Sequence, residues 1–396
     1  MSLTDTPNAN RLHIALFGRR NSGKSSLINA LTGQDIALVS NTPGTTTDLV
    51  SKAMEIQGIG PCLFIDTPGF DDEGELGELR ISRTLKAIEK TDIALLLCED
   101  TTFFHEKEIL ALLKEKNIPV IPVLNKIDIR ENSDHLATYI EEQCKIHPLL
   151  ISAKEKIGIE LIRQAILEKL PSDFGQQSIT GKLVAENDLV LLVMPQDIQA
   201  PKGRLILPQV QTIRELLDKK CLVMNCTTDK FSATLQALVR PPKLIITDSQ
   251  VFKAIYEQKP KESELTSFSV LFAGYKGDIH YYVESAAVIE RLTESSRVLI
   301  AEACTHAPLS EDIGRVKLPR LLRKRIGENL QIDMVAGTDF PQDLTPYSLV
   351  IHCGACMFNR KYVLSRIERA REQHIPMTNY GVAIAFLNGI LDQIKY

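Results

Sequence analysis

The sequence predicts an α/β protein with three domains, a P-loop domain over 1–171, a small α/β domain over 180–265 and a parallel α/β domain over 266–396. Three observations support this prediction. Short apolar runs alternate with helical patterns along the chain. A phosphate-loop motif joins the first apolar run to the first helical pattern. A segment rich in Pro, Gly, Ser and Gln, 171–181, indicates a linker.

The composition is that of an ordinary globular protein, with 44% hydrophobic and 24% charged residues. The net charge of −4 argues against a predominantly nucleic-acid-binding surface. The sequence contains no apolar run of about 18 residues, so we expect no membrane span. The first residues are polar and lack the apolar core of a signal peptide, and we therefore expect a cytoplasmic protein.

The first domain contains five apolar runs that we predict to be strands of a mostly parallel sheet. They are Leu12 to Phe17, Cys62 to Ile65, Ile93 to Leu97, Val120 to Leu124 and Leu149 to Ile151. Ligands bind to such sheets outside the carboxyl ends of the strands. Each candidate nucleotide-binding motif of this domain lies at or after such an end.

The first motif has the pattern G-x-x-x-x-G-K-S and lies between a predicted strand and a predicted helix. Its glycines allow backbone N–H groups to surround phosphates, Lys24 reaches the β- and γ-phosphates, and the Ser25 hydroxyl ligates Mg²⁺. The helix N-terminus adds partial positive charge. The predicted nucleotide contacts here are Gly18, Asn21, Ser22, Gly23, Lys24, Ser25 and Ser26.

Two further motifs carry the predicted catalytic chemistry. Thr46 lies in a run of three threonines, Thr45 to Thr47, whose hydroxyls can reach Mg²⁺ and the γ-phosphate. Asp66 follows the second apolar run and can hold the water shell of the metal, while the N–H of Gly69 can contact the γ-phosphate. The predicted catalytic set is Lys24, Thr46, Asp66 and Gly69, and the predicted magnesium ligands are Ser25, Thr46 and Asp66.

The last two motifs predict a guanine site. The first comprises Asn125, Lys126 and Asp128, whose carboxylate can accept both N1–H and the 2-amino group of guanine. The second comprises Ser152, Ala153 and Lys154, which can pack on the base. Each motif alone is also typical of a turn or a helix cap. Together and in this order, the motifs resemble the translation-factor-like class of small GTPases, which implies GTP and Mg²⁺ binding.

Two residues refine the expected GTPase reaction. Asn21 matches the potassium ligand of cation-activated GTPases of this class, where a monovalent cation replaces an arginine finger; the alternative is an ordinary turn asparagine. Phe70 stands where Ras-like proteins have a water-positioning glutamine, so we expect slow hydrolysis. The acidic loop Asp71 to Glu75 offers candidates for that role, or is a solvated switch.

The middle domain contains three apolar runs, Leu189 to Val193, Leu222 to Met224 and Leu244 to Thr247. A three-stranded sheet with an exposed edge commonly completes itself by pairing with another copy. We therefore predict a homodimer, or a larger homo-oligomer, formed by this domain.

The C-terminal domain has four predicted strands, Val270 to Ala273, Val298 to Ala303, Ile332 to Ala336 and Leu349 to His352. Cysteines follow two of them, and parallel strands bring such ends to one edge of the sheet. Three thiolates can bind zinc, copper(I) or an iron–sulfur cluster. A structural zinc, a redox Cys-x-x-Cys pair and unrelated buried cysteines remain alternatives. The cysteines are Cys304, Cys353 and Cys356, and the candidate fourth ligands are His306, His352, Glu302 and Glu311.

This combination of a GTPase domain with Cys304-Thr-His306 and His352-Cys353-Gly-Ala-Cys356 resembles HydF, the family of maturation GTPases of iron-only (FeFe) hydrogenase. The resemblance implies a 4Fe–4S cluster on Cys304, Cys353 and Cys356, with His306 and His352 as ligands or neighbours. It also implies a scaffold that receives a transient diiron precursor from radical-SAM maturation enzymes. That precursor would pass to apo FeFe-hydrogenase, with GTP turnover regulating partner exchange.

Two other functions are compatible with parts of the sequence. A ribosome-assembly or tRNA-modification GTPase with a zinc-stabilised C-terminal domain needs a basic RNA-binding surface, which the net charge disfavours. A GTP-dependent adaptor would bind GTP without hydrolysing it. The basic run Lys317 to Arg325 is typical of a solvated helix face, with a docking patch for an acidic partner as the alternative.

Overall fold

The computed structural model describes residues 6–32, 50–69, 83–171, 174–175, 177–195, 205–303 and 313–396. The chain divides into two compact units, Met1–Gln176 and Gln177–Tyr396. Over the described ranges, no helix is both long and apolar enough to cross a lipid bilayer.

The first unit is built on a six-stranded sheet with the order β2-β3-β1-β4-β5-β6, in which only β2 runs antiparallel to its neighbour. Its strands are β1 (Leu12–Gly18), β2 (Val50–Ile56), β3 (Gly60–Asp66), β4 (Ile93–Cys98), β5 (Val120–Leu124) and β6 (Leu149–Leu150). Its helices are α1 (Lys24–Thr32), α2 (Phe104–Glu115), α3 (Ser133–Cys144) and α4 (Ile159–Glu168), and a further helical segment covers 83–88. The five predicted strands are confirmed, and β2 was not predicted.

Both faces of this sheet are covered, as the apolar runs predict. Alternate residues of β1 belong to different cores: Ile14 and Leu16 pack with α1, while Ala15 and Phe17 pack in the opposite layer with α2. Because successive side chains of a strand point to opposite faces, a fully buried strand reads as a continuous apolar run. Buried strands therefore hold the carboxyl edge, where the motifs lie, in a rigid frame.

The second unit contains two parallel four-stranded sheets, with the orders β10-β9-β7-β8 and β12-β11-β13-β14. The strands of the first are β7 (Leu189–Val193), β8 (Leu222–Cys226), β9 (Leu244–Thr247) and β10 (Glu264–Ser267). Those of the second are β11 (Arg297–Glu302), β12 (Gln331–Ala336), β13 (Leu349–His352) and β14 (Met377–Asn379). The helices are α5 (Leu207–Asp218), α6 (Phe231–Ala237), α7 (Phe252–Gln258), α8 (Phe268–Lys276), α9 (Ile279–Ala286), α10 (Leu318–Ile326), α11 (Arg360–Glu372) and α12 (Tyr380–Leu387).

The predicted strand Val270 to Ala273 is wrong, because these residues lie in helix α8. The Ser267 side chain caps the helix by accepting a hydrogen bond from the N–H of Val270 at 3.2 Å. One side of α8 packs on the first sheet of the unit through Phe272, and the other packs on the second sheet through Ala273. A helix buried on both sides shows the same short apolar run as a buried strand.

The predicted three-stranded middle sheet is also wrong, since β10 adds a fourth strand beside β9. The predicted exposed edge is present in β8. Leu222 and Met224 of this strand are 52% and 41% exposed. An apolar edge strand of this kind is a surface for pairing with another chain.

Candidate functional site

The phosphate loop connects Gly18, the last residue of β1, to Lys24, the first residue of α1. Asn21 and Gly23 adopt left-handed backbone conformations, with φ of 61° and 90°. The buried ammonium of Lys24 donates hydrogen bonds to the carbonyls of Gly18 at 2.8 Å and Arg19 at 2.7 Å. The loop thus curls around the amine that the motif assigns to the phosphates.

The predicted magnesium ligands Ser25 and Asp66 lie together. The Ser25 hydroxyl donates a hydrogen bond of 2.6 Å to Oδ2 of Asp66. Burial raises the pKa of Asp66, while the Ser25 hydrogen bond and the charge of Lys24 lower it. Thr67, which sequence reasoning did not select, anchors this loop, because its hydroxyl donates to the carbonyl of Leu16 at 2.6 Å.

Asn125 connects the guanine motif to the phosphate loop. Its buried side chain donates to the carbonyl of Ser22 at 3.0 Å and accepts a hydrogen bond from the N–H of Ala153 at 3.0 Å. A Cβ at Gly23 would lie 2.2 Å from Nδ2 of Asn125, so this position has room only for glycine. One amide therefore ties together three of the predicted motifs.

Asp128 and Ser152, from the two guanine motifs, are also in contact. A hydrogen bond from Ser152 holds the pKa of the exposed Asp128 carboxyl below its usual value. Lys126 has a left-handed backbone and forms an ion pair of 3.1 Å with Glu99. Arg130, a residue outside every motif, donates to the carbonyls of Asn125 and Glu99 and so supports this loop.

Arg19, a variable position of the phosphate-loop pattern, is held by carboxylates. It donates to Asp100 at 3.0 Å and to Glu106 at 3.2 Å. Glu106 is 1% exposed, and burial raises its pKa while Arg19 lowers it. The phosphate-loop pattern alone does not indicate the Arg19–Glu106 pair, because Glu106 lies in α2, about eighty residues further along the chain.

Some predicted residues take no part in the contacts given above, and others fall outside the described residues. Gly69 ends the described segment after β3, Ser26 is exposed in α1, and the exposed Lys154 lies 3.7 Å from Glu155. The threonine run with Thr46, the residue Phe70 and the acidic loop 71–75 fall outside the described residues.

In the second unit, the ends of β11 and β13 lie side by side, as the parallel arrangement predicts. Cys353 Sγ accepts hydrogen bonds from the N–H groups of Ala303 at 3.0 Å and Ala355 at 3.4 Å. Burial raises the pKa of the Cys353 thiol to about 11, although these two donors lower it. Ala303 directly precedes Cys304, which lies outside the described residues together with His306 and Glu311.

His352 is fully buried, and both of its ring nitrogens are engaged. Nδ1 lies 2.9 Å from the carbonyl of Cys353, and Nε2 lies 2.8 Å from the guanidinium of Arg366. A guanidinium only donates, so Nε2 accepts and Nδ1 carries the proton. Burial, with the charge of Arg366, lowers the pKa of His352 to about 3. In this arrangement neither nitrogen is available to a metal.

Arg366 is 1% exposed and is surrounded by aromatic rings. Its guanidinium carbon lies 4.6 to 4.7 Å from the ring centroids of Phe340, Phe358 and Tyr362. It also donates to the carbonyl of Gly337 at 2.6 Å. Sequence reasoning did not single out Arg366, because a helical arginine usually lies on a solvated face.

Lys276 is a second buried cation at this site and is 2% exposed. Its ammonium donates to the carbonyls of Ala355 at 3.2 Å, Cys356 at 3.3 Å and Phe358 at 2.6 Å. Burial lowers the pKa of Lys276 to about 8, while the sulfurs of Cys356 and Cys353 raise it. Burial therefore opposes the charge of this lysine, and negative charge on the neighbouring sulfurs favours it.

The described part of this site fits an anionic group held by thiolates. Two sulfurs of a Cys-x-x-Cys pair, N–H donors directed at one sulfur, and two buried cations are the environment that such a group needs. Glu302 accepts hydrogen bonds from Arg315 at 3.2 Å and Tyr380 at 3.3 Å. The described ranges contain no group of three or more His, Cys, Asp or Glu placed to hold a metal ion.

The other cysteines behave as small apolar side chains. Cys62, Cys98, Cys144 and Cys221 are buried and free, and Cys226 is half-buried. Burial raises the pKa of each thiol, to about 12 for Cys62 and about 11 for Cys144. The apolar sequence neighbours of these five cysteines predict small buried side chains, which is confirmed for four of them and not for the half-buried Cys226.

Three family models match the chain. The hydrogen maturase F dimerization domain matches residues 179–277, and the hydrogen maturase F tetramerization domain matches residues 280–395. A model described as 50S ribosome-binding GTPase matches residues 13–126. Two domains described for one family thus cover almost the whole second unit, and a GTPase domain covers most of the first.

Individual relatives match part of the chain. The tRNA modification GTPase MnmE of Dechloromonas aromatica is 40% identical over 159 residues, which cover 39% of this chain and 34% of that protein. GTPase Der of Wolinella succinogenes is 35% identical over 192 residues, covering 44% and 40%. The solved G domain of the T. maritima FeoB iron transporter is 25% identical, with a TM-score of 0.33, and covers 40% of this chain and 98% of that one. The chain therefore spans about a third to two fifths of the length of the two curated relatives.

Proposed function

Because this chain belongs to the hydrogen maturase F family, we propose that it is a GTP-hydrolysing scaffold for the maturation of FeFe-hydrogenase. It binds a 4Fe–4S cluster, receives the diiron precursor of the hydrogenase active site from radical-SAM enzymes, and delivers that precursor to the apo-hydrogenase. The observation that carries the proposal is the pair of sulfurs at Cys353 and Cys356 beside two buried cations.

The GTP half of the proposal follows from the phosphate-loop geometry. GTP binding moves Lys24 from the carbonyls of Gly18 and Arg19 to the β- and γ-phosphates. Ser25 and Asp66, now paired with each other, become ligands of Mg²⁺ and of its water shell. Asp128 accepts the two N–H groups that distinguish guanine from adenine. Thr46 and Gly69 complete the site at the γ-phosphate.

We also propose that hydrolysis is slow and is activated by potassium at Asn21. This side chain is exposed on a left-handed turn, where its oxygen is accessible to a cation between the phosphates. Turnover measured in KCl and in NaCl at equal ionic strength tests the proposal. We expect faster turnover in KCl and no such difference for Asn21→Ala; equal rates for the unaltered chain would contradict it.

For the iron–sulfur cluster, we propose Cys304, Cys353 and Cys356 as ligands. His306 lies in the same motif as Cys304. A bound cluster supplies an iron site that can hold and release a second group. Cys353 is held for this role by the N–H groups of Ala303 and Ala355. Because both ring nitrogens of His352 already make contacts, we propose that it orients the segment after β13 instead of binding iron.

Metal analysis of the anaerobically purified full chain tests the cluster. We expect about four irons and four sulfides per chain and a paramagnetic signal after reduction. Cys353→Ala should lose iron and sulfide together. Cys144→Ala is the matched control, because it removes a buried thiol from the first unit. One zinc per chain without a paramagnetic signal would contradict the proposal.

That zinc outcome would favour the alternative, a tRNA-modification or ribosome-assembly GTPase. The similarity to MnmE of Dechloromonas aromatica extends over 159 residues, which cover 39% of this chain. The hydrogen maturase F models cover 179–277 and 280–395. The second range contains the cysteine segment, residues 353–358. For this reason we propose the hydrogenase-maturation function.

The family models imply self-association, and we propose that β8 is the pairing edge. The N–H of Leu222 donates a hydrogen bond to the carbonyl of Asp188, which directly precedes β7. The N–H groups of alternate residues of a strand point to the same side. The N–H of Val223 therefore points away from the sheet. Val223→Pro removes this donor without breaking a hydrogen bond to β7.

Sedimentation of the full chain tests this interface. We expect Val223→Pro to lower the oligomeric state while the circular dichroism spectrum stays unchanged. Val223→Ala, which keeps the N–H, should associate as the unaltered chain does. An unchanged mass for the proline variant would rule out pairing through β8.

A further inference from the structure

Lys276 connects two parts of the second unit that belong to different family models. It is the last residue of α8, which lies within the dimerization-domain match, 179–277. Its ammonium donates to three carbonyls of the cysteine segment, which lies within the tetramerization-domain match, 280–395. The cysteine segment is thus held by a residue from outside its own domain.

The contact is reciprocal. Arg360, which begins α11 directly after the cysteine segment, donates to the carbonyls of Tyr275 at 3.0 Å and Gly277 at 3.3 Å. Each element therefore places a cation on the backbone carbonyls of the other. Two such contacts fix the distance between the end of α8 and the cysteine segment more firmly than one contact could.

Lys276 also stabilises the local backbone of the cysteine segment. Ala355 has a left-handed conformation with φ of 51°, which is unfavourable for a residue with a Cβ. The Lys276 ammonium binds the carbonyl of this residue, and the N–H of the same residue donates to Cys353 Sγ. The lysine therefore helps to hold the hydrogen bond that reaches the sulfur.

The Lys276 ammonium contacts the backbone carbonyls of residues 355, 356 and 358. Within the described ranges, neither Lys276 nor Arg366 forms an ion pair with an acidic side chain, although both are almost fully buried. A buried charge that has only dipoles as partners is costly. The ionisable groups that act on Lys276 are Cys356 and Cys353. Negative charge on these two sulfurs would supply the missing balance.

We propose that Lys276 is the positioning residue and the fixed counter-charge of the metal group held by Cys353 and Cys356. This inference rests on the proposed function, in which that group is an iron–sulfur cluster. Reduction adds a negative charge to the cluster, and a nearby fixed cation stabilises the reduced form. Lys276 therefore raises the reduction potential of the cluster.

Three substitutions in the anaerobically reconstituted full chain separate charge from positioning. Lys276→Gln is neutral but keeps N–H donors, Lys276→Arg keeps the charge, and Lys276→Met keeps only the length. Lys259→Met is the matched control, because Lys259 donates to the carbonyls of Pro260 and Ser263 away from the cysteines. Iron and sulfide content, the midpoint potential from a redox titration followed by paramagnetic resonance, and circular dichroism are measured for each.

We expect Lys276→Gln to keep its iron and to shift the midpoint to a more negative potential. Lys276→Arg should keep a midpoint close to that of the unaltered chain. Lys276→Met should lose iron and sulfide and shift the midpoint of the remainder. Lys259→Met should change none of these quantities.

An unchanged midpoint in Lys276→Gln would overturn the counter-charge, and full iron content in Lys276→Met would overturn the positioning role. If circular dichroism shows that Lys276→Met does not fold, the glutamine and arginine variants decide, since both keep N–H donors for the carbonyls. An unaltered chain without iron would refute the proposed function itself. An unaltered chain with iron and unaffected variants would refute only the role of Lys276.

Discussion

The phosphate loop and the cysteine segment both follow a buried parallel strand, but their positive charges are balanced differently. In the phosphate loop, Lys24 acts on the Asp66 carboxylate, and Arg19 is paired with Asp100 and Glu106. At the cysteine segment, the described residues provide no carboxylate for Lys276 or Arg366. Within the described residues, carboxylates of the chain balance the cations of the first site, whereas Lys276 and Arg366 at the second contact carbonyls, a histidine and aromatic rings.

This difference in charge pairing has a physical reason if the first site exchanges its ligand and the second keeps its ligand bound. A site that exchanges GTP and GDP must be stable in every state, so its cations need partners within the protein. A resident anionic cluster can itself serve as the permanent partner of buried cations. Under the proposed function, the first site holds an exchangeable ligand and the second a resident one.

Lys24→Met should have the largest effect and should separate the two sites. Loss of this cation removes charge stabilisation at the phosphates, and we expect GTP turnover to fall by roughly 10²–10³-fold. Iron content should not change, because the cysteine segment belongs to the other compact unit. Lys52→Met is the control, since Lys52 contacts Thr32 in the same unit. A parallel loss of iron would show that the sites depend on each other.

Arg366→Met sharpens the comparison at the second site. The variant leaves the ring of His352 and the carbonyl of Gly337 buried without their donor, which we expect to cost about 2–4 kcal/mol of unfolding free energy. The loss of unfolding free energy should be greater for the reconstituted chain than for the metal-depleted chain, because the charge of Arg366 stabilises only a bound anionic group.

Anaerobic thermal unfolding of both forms measures the difference. Arg369→Met is the control: Arg369 also lies over Phe340, at 5.6 Å, but is only half-buried. A greater loss in the metal-depleted chain would contradict the assignment of Arg366 to an anionic group.

Gly23→Ala should weaken nucleotide binding about tenfold, because a left-handed alanine costs about 1–2 kcal/mol and its Cβ displaces the Asn125 side chain. Gly58→Ala carries similar backbone strain at φ of 85°, but its Cβ has nothing within 4 Å. Titration with a fluorescent GTP analogue compares the two variants. Equal affinities would show that the contact with Asn125 does not matter.

The smallest effect is a pH dependence at Asp66. Burial raises the pKa of this carboxyl in the folded chain, so it takes up a proton at a higher pH than an ordinary aspartate, whose pKa is about 3.9. Protonation opposes Mg²⁺ binding, so magnesium affinity should fall as the pH falls through that raised pKa. The same shift makes protonation favour the folded chain over the unfolded chain in this range.

Magnesium titrations at falling pH measure this effect. Asp128 is the internal comparison, because its pKa is lowered and guanine binding should persist to lower pH. Magnesium affinity that remains constant until guanine binding is lost would contradict the assignment of Asp66.

Much of the fold was predictable wherever local pattern and burial agree. The fully buried strands of the first unit follow from their apolar runs, and the phosphate loop follows from its spacing. Three of the errors have a common cause. Val270 to Ala273 in α8 and the unpredicted strands β10 and β14 are short segments whose type depends on what packs against them.

The residue pattern was enough to predict both sites, because phosphate binding and metal binding each need particular residue types at short, regular spacings. It determined which strand ends carry those residues, and the parallel sheets then brought Ser25 to Asp66 and Ala303 to Cys353. The electrostatic balance, in contrast, is visible only in the packed molecule. Lys276 and Arg366 lie 80 residues before and 10 residues after Cys356, and nothing local marks them as buried cations. Burial and charge pairing are properties of the packed molecule, and no short pattern encodes them.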